Sequence, residues 1–164
     1  MINLSTKLKG LLKLMNRELI DFLVNAKRNT YASGSGQVVE PIKRGSKDMP
    51  YRDRDYEYMD SYFGERHFIG QEIVWHQGKA IWGMNYYGFT YNPVEGFPQF
   101  LFECLKQVTP QAPYRGPNNY KDEKFEYNCS WTGEMNDFKG EETIRFNNQV
   151  IYKLSFHGGE IQYV

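Results

Sequence analysis

The chain is poor in the residues that advertise chemistry: it has two cysteines and three histidines in 164 residues. Cys104 and Cys129 lie far apart without C-x-x-C spacing, so they indicate neither a secreted disulfide framework nor a zinc site, and both thiols are expected to be reduced. His67, His76 and His157 show no H-x-x-x-H or H-E-x-x-H spacing, so no metal site and no cofactor is expected. Net charge is absent too, because twenty basic residues balance twenty acidic ones. No overall field would draw the chain to a nucleic-acid backbone or an anionic membrane, and no nucleic-acid partner is expected. Long apolar runs are also missing. Lys7, Lys9 and Lys13 interrupt the leucines at 4, 8, 11, 12 and 14, which excludes a secretory h-region and a transmembrane segment and makes the cytoplasm the expected location. The phosphate-binding fingerprints fail: Gly34-x-Gly36 is followed by Val39 where a third glycine is needed, and Gly78-Lys79 runs into Ala80. No G-x-S-x-G nucleophile elbow occurs.

Aromatic residues are what the chain has in quantity, with thirteen Tyr, eleven Phe and three Trp. Leu4, Leu8, Leu11, Leu12, Met15, Leu19, Leu23 and Ala26 recur at helical spacing, predicting a helix that ends near Lys27, with Gly10 as a break point. Arg28 to Asp55 carries Ala32-Ser33-Gly34-Ser35-Gly36, Pro41, Gly45 and Pro50, and reads as a long irregular connection with a mobile glycine-serine tip. Tyr56 to Phe63, Phe68 to His76 and Lys79 to Tyr87 are rich in aromatic and β-branched residues and form a three-stranded meander. A short helix follows around Phe100 to Val108. Three more strands run over Phe125 to Thr132, Phe138 to Phe146 and Val150 to His157, with Asn147-Asn148 as the last hairpin turn.

The second meander matches the first. Tyr56-Glu57-Tyr58-Met59-Asp60-Ser61-Tyr62-Phe63-Gly64-Glu65 aligns with Phe125-Glu126-Tyr127-Asn128-Cys129-Ser130-Trp131-Thr132-Gly133-Glu134. A Pro-Tyr-Arg precedes each meander, at 50–52 and 113–115. The expected fold is therefore α+β, with two pseudo-repeated helix-plus-three-strand units forming an antiparallel sheet and helices packed on it. One domain spans 1–164, divided into an N-terminal helical arm at 1–20, a first repeat at 21–88 and a second at 97–159.

Alternation places apolar residues on one face of the sheet and polar residues on the other. Glu142 stands on the apolar parity of its strand. Glu72 does so in the first half, where Tyr58, Asp60, His76, Trp82 and Tyr86 share its face. A two-residue turn at 147–148 pairs Phe146 with Gln149, whereas the apolar pattern wants Phe146 beside Val150, so the register of this hairpin stays open. A buried carboxylate costs several kcal/mol unless it is paired or protonated. The inward acids then have a local explanation, bonding tyrosine hydroxyls or an arginine such as Arg66, or a functional one, lining an aromatic cavity that holds a ligand. Paired carboxylates could also act as general acid and base.

The runs Gly45-Ser46-Lys47-Asp48, Asp60-Ser61-Tyr62-Phe63-Gly64, Phe68-Ile69-Gly70-Gln71-Glu72-Ile73-Val74-Trp75 and Trp82-Gly83-Met84-Asn85-Tyr86-Tyr87-Gly88 resemble an uncharacterised bacterial family known only as a domain of unknown function. The resemblance covers Phe22-Leu23 through His157-Gly158-Gly159. Members of that family also follow N-terminal helix-turn-helix domains of the phage-repressor type, which implies an effector-binding role. Some twenty residues precede the shared region here, so the resemblance implies a standalone version. It supplies no catalytic residues.

The expected function is a small-molecule sensing or ligand-binding domain, with Tyr58, Asp60, Glu72, His76, Trp82, Tyr86 and Glu142 as candidate ligand-binding residues. Its expected partners are a small-molecule ligand and, in a dimer, a second copy of the chain. The alternatives are a small hydrolase or isomerase using acids in an aromatic pocket, and a protein-interaction module. Convergent carboxylates with one raised pKa would favour catalysis, and a filled core with an exposed apolar patch would favour a partner surface.

Overall fold

The computed structural model describes residues 4–34 and 36–163, with backbone alone over 4–14. Among the described residues two α-helices, α1 (Leu4–Asn29) and α2 (Phe97–Lys106), accompany eight strands. These are β1 (Lys47–Asp53), β2 (Tyr56–Gly64), β3 (His67–His76), β4 (Lys79–Thr90), β5 (Asn119–Lys121), β6 (Phe125–Glu134), β7 (Asp137–Phe146) and β8 (Gln149–Glu160). All eight join one antiparallel sheet in the order β1-β2-β3-β4-β8-β7-β6-β5. No helix among the described residues is long and apolar enough to cross a membrane.

This architecture corrects the expected pair of helix-plus-three-strand units. Strand dominates, the sheet is continuous across β4 and β8, and an additional strand lies at each edge. The two helices also differ, with 26 residues in α1 and 10 in α2. The α+β description fits only loosely. β1 escaped the sequence pattern because Pro50 sits inside it, and a proline is tolerated where a strand forms the sheet edge. β5 is only three residues long, too short for any alternation to show. The connection expected to be irregular over 28–55 therefore contains β1. Of its glycine-serine tip, expected to be mobile, Ser35 lies outside the described residues, and Tyr31–Ser33 form a 3-10 turn.

One face of the sheet is buried. Tyr58, Val74, Trp82, Met84 and Tyr86 in the first half pack with Tyr127, Cys129, Ile144, Tyr152, Leu154 and Phe156 in the second. Phe22, Leu23 and Ala26 of α1 and Phe97, Phe100 and Cys104 of α2 close this layer. α1 runs unbroken through Gly10, since one glycine in a long helix costs only about 1 kcal/mol.

The hairpin register is settled by bulges. Asn147 and Asn148 both take positive φ, as a type I′ turn requires, and Phe146 pairs with Gln149. The ladder then steps from Arg145↔Val150 to Ile144↔Tyr152, leaving Ile151 as the extra residue. That single step returns Tyr152, Leu154 and Phe156 to the buried face. At Gln77-Gly78 the same device appears, with Trp75↔Ala80 followed by Val74↔Trp82.

Candidate functional site

Three acids point into the buried face: Asp60 on β2, Glu72 on β3 and Glu142 on β7 are 2%, 0% and 0% exposed. Each is placed by strand parity, and each meets different company.

Glu142 is fully satisfied. Arg115, from the segment between α2 and β5, donates Nε to Oε2 at 3.2 Å and Nη2 to Oε1 at 3.0 Å. The Tyr127 hydroxyl donates to Oε2 at 2.6 Å and the Tyr152 hydroxyl to Oε1 at 2.8 Å. Such a two-pronged guanidinium contact, completed by two hydroxyls, is the geometry that makes a buried ion pair tolerable. Burial opposes the Arg115 charge, but the charge and hydrogen bonds of Glu142 together with Tyr31 and Tyr152 more than offset it and hold the guanidinium well above its usual pKa. Tyr127 also accepts from the Gly116 backbone N–H at 2.9 Å, and a Cβ on Gly116 would stand 2.6 Å from that hydroxyl. Glycine is what lets the loop carrying Arg115 come this close.

Glu72 is paired from the helix side. Lys27, in the last turn of α1, donates to its Oε2, to the Tyr114 carbonyl at 2.8 Å and to the Tyr31 hydroxyl at 3.4 Å. Three acceptors match the three N–H donors of an ammonium. The C-terminal end of a helix also favours a cation. Burial lowers the Lys27 pKa, against the pull of Glu72. Glu72 Oε1 and the Tyr58 hydroxyl are buried without a hydrogen-bond partner among the described residues.

Among the described residues Asp60 has no cation of its own. It stands directly across from Glu72 in the β2–β3 ladder. Its Oδ1 accepts the Tyr86 hydroxyl at 2.6 Å. Tyr86 can reach it because Gly70 on the intervening strand β3 leaves room: a Cβ there would lie 2.2 Å from the Tyr86 ring and hydroxyl. Burial, reinforced by the Glu72 charge, pushes the Asp60 carboxyl up to about 7, against opposing contributions from Tyr86, Arg115 and Lys27.

Asp60 lines a cavity of about 630 Å³, open to solvent on one side and bordered by β1, β2, β3, β4, β8, α2 and the turn after α1. Tyr31, Tyr62, Phe68, Tyr86, Phe102, Arg115 and Tyr152 share its wall, with Lys47 and Glu65 paired at the exposed rim at 3.1 Å. The Arg115 guanidinium lies 5.0 Å from the Tyr31 ring centroid. Burial keeps the Tyr31, Tyr86 and Tyr152 hydroxyls protonated by raising their pKa well above the ordinary value.

Of the residues singled out from sequence, Asp60 and Tyr86 line the cavity. Glu72 and Glu142 stand behind it as the partners of Lys27 and Arg115. Tyr58 is buried near the acids, and Trp82 lies outside the cavity lining, its ring 5.8 Å from Lys27 Nζ, donating Nε1 to the Met135 carbonyl at 3.0 Å and stacking on Phe138. His76 is apart from the group, stacked on Tyr56 at 4.4 Å. Arg66, named as a partner for the acids, instead donates to the Tyr91 carbonyl in an exposed position. Lys27, Tyr31, Arg115 and Tyr152 are members that sequence reasoning missed. The Pro-Tyr-Arg at 113–115 was the one available signal for Arg115.

Other chemistry has little footing. Both thiols are buried, and burial raises them further, Cys129 to about 12 and Cys104 beyond it, so neither is a thiolate nucleophile. Among the described residues no three His, Cys, Asp or Glu side chains converge as a metal site.

The family described as a domain of unknown function, DUF5680, matches residues 60–161, a span that begins at Asp60 and includes Tyr86, Arg115 and Tyr152. No curated protein and no solved structure matches the chain.

Proposed function

The chain belongs to the DUF5680 family, a domain of unknown function, and from its cavity we propose that the protein is a small-molecule sensing or ligand-binding domain. One observation carries this reading: Asp60 is a buried carboxylate without a counter-ion among the described residues, and it lines an aromatic cavity of about 630 Å³. A volume of that size lies in the range of small-molecule sites, which combine apolar walls with a few convergent polar groups. A lone buried acid costs stability, whereas the neighbouring acids each have a cation. Such a cost, borne beside a cavity, supports reading it as a ligand site. The reading includes a cytoplasmic protein that senses a metabolite, in keeping with the resemblance to bacterial domains that follow phage-repressor-type helix-turn-helix segments.

Thermal-shift screening of metabolites against the wild type and Leu101→Trp tests it, because an indole at position 101 would occupy the cavity that Leu101 lines. Ligands should stabilise the wild type and lose their effect on the filled variant. Equal shifts in both proteins would remove the cavity from the account.

Proton-transfer catalysis is the second reading, favoured by a carboxyl poised near neutrality in a cavity. It ranks lower because Glu72 and Glu142, the other two buried acids on this sheet face among the described residues, are both committed to ion pairs. Conversion of a bound compound by the wild type, lost in Asp60→Asn while binding persists, would promote it. A protein-interaction role has Ile69 and Tyr87 in its favour, paired on the outer sheet face and exposed, but nothing in the structure covers them.

A further inference from the structure

The charges around the cavity can be counted by partner. Lys27 is held by Glu72, Arg115 is held through two N–H groups by Glu142, and Lys47 at the rim is held by Glu65. After these three pairs, the described residues of the wall retain one charge without a counter-ion, the carboxylate of Asp60. Its Oδ1 is taken by Tyr86, and Oδ2 has no hydrogen-bond partner among the described residues. An incoming acid would find every cation among the described residues of this wall already paired. It would also meet Asp60 at close range, where like charges in a low-dielectric setting repel strongly.

Aromatic surface surrounds the same carboxylate. Tyr62, Phe68 and Tyr86 line the cavity with Asp60, and Lys47 Nζ already lies 5.6 Å from the Tyr62 ring centroid. Rings of this kind attract cations through their negative faces and accept apolar bodies by contact. An unpaired acid inside an aromatic wall is the complement of a positively charged nitrogen on an organic body.

We infer that the ligand of this cavity is an organic ammonium, a primary or secondary amine on an apolar or aromatic body, whose N–H donates to Asp60 Oδ2. The inference rests on the ligand-binding reading above and names the chemical class for it. Binding would supply the counter-ion that the fold leaves out, so Asp60 would be ionised in the complex. A neutral alcohol would make one hydrogen bond there without the charge term.

The test uses the full chain and three matched probes: phenethylamine, 2-phenylethanol and 3-phenylpropanoate, compared by calorimetry and thermal shift at millimolar concentration near pH 8. Phenethylamine should bind at least about tenfold more tightly than the alcohol, and the acid should bind worst. Asp60→Asn, nearly isosteric, should lose about tenfold or more of the amine affinity while retaining its affinity for the alcohol. In the wild type the amine affinity should also fall as pH drops below about 7, because Asp60 takes up a proton there. That profile keeps the inference testable even if the variant misfolds. Equal binding of the alcohol or acid, or an amine affinity indifferent to both Asp60→Asn and pH, would overturn the ammonium and leave the ligand-binding reading standing. Failure of all three probes to bind would overturn the inference, while metabolite screening against Leu101→Trp would still decide the broader reading separately.

Discussion

Asp60 and Glu72 face each other across the β2–β3 ladder, both buried, but only Glu72 is answered by a cation, the ammonium of Lys27. Directly opposed side chains lie about 5 Å apart at Cβ, close enough for one carboxylate to raise the proton affinity of the other. Asp60 yields because, of the two, it is the one without a cation.

Removing that charge should alter stability in a pH-dependent way. The Asp60 carboxyl rises from 3.8 to about 7 on folding, so the folded chain binds more protons than the unfolded chain between those values. Stability from this group is therefore full below about pH 4 and is lost as pH climbs through 7, by roughly 4 kcal/mol at most. Asp60→Asn lacks this loss. Its urea midpoint should exceed the wild type's at pH 8, with the gap closing toward pH 4.

Breaking one buried pair should cost more than removing both members. Lys27→Met leaves Glu72 charged and uncompensated, and should cost about 3–5 kcal/mol in chemical denaturation. Adding Glu72→Leu should recover about 2 kcal/mol or more of this, and the double-mutant cycle measures the coupling.

How much of this arrangement the sequence disclosed depended on periodicity. Strand alternation placed Asp60, Glu72, Glu142 and Tyr86 on the buried side, because a half-buried strand repeats every two residues. It could not identify Arg115, which comes from an aperiodic loop, or pair Lys27 at the end of α1 with Glu72, 45 residues away. His76 shared the nominal parity but lies at the far end of β3, where it stacks on Tyr56. The number of strands was misread at the edges, where Pro50 masked β1 and β5 was too short to show a pattern. Ile81 and Ile151 each absorb one residue, a bulge that no alternation rule foresees.

Glu142 should behave as a structural acid. Glu142→Gln presents amide N–H groups to donors on Arg115, Tyr127 and Tyr152 and leaves the buried guanidinium without its anion. A loss of about 3–5 kcal/mol is expected, read from the denaturation midpoint, with no stabilisation at high pH of the kind expected for Asp60→Asn.

Gly70 should prove intolerant of a side chain. A methyl group there would stand 2.2 Å from the Tyr86 ring, forcing it aside and breaking its bond to Asp60. Gly70→Ala should cost about 1–3 kcal/mol by overpacking, and ring-current shifts of the neighbouring amide protons should report the displaced Tyr86.

The central claim is that Asp60 is an unpaired, buried acid exposed to a ligand cavity. Following its 13Cγ resonance by NMR from acid to alkaline pH, with and without phenethylamine, tests this directly. A midpoint at about 7 in the free protein, moving to lower pH when the amine is bound, is the expected result. A midpoint in the ordinary carboxylate range near 4, unchanged by the amine, would contradict it.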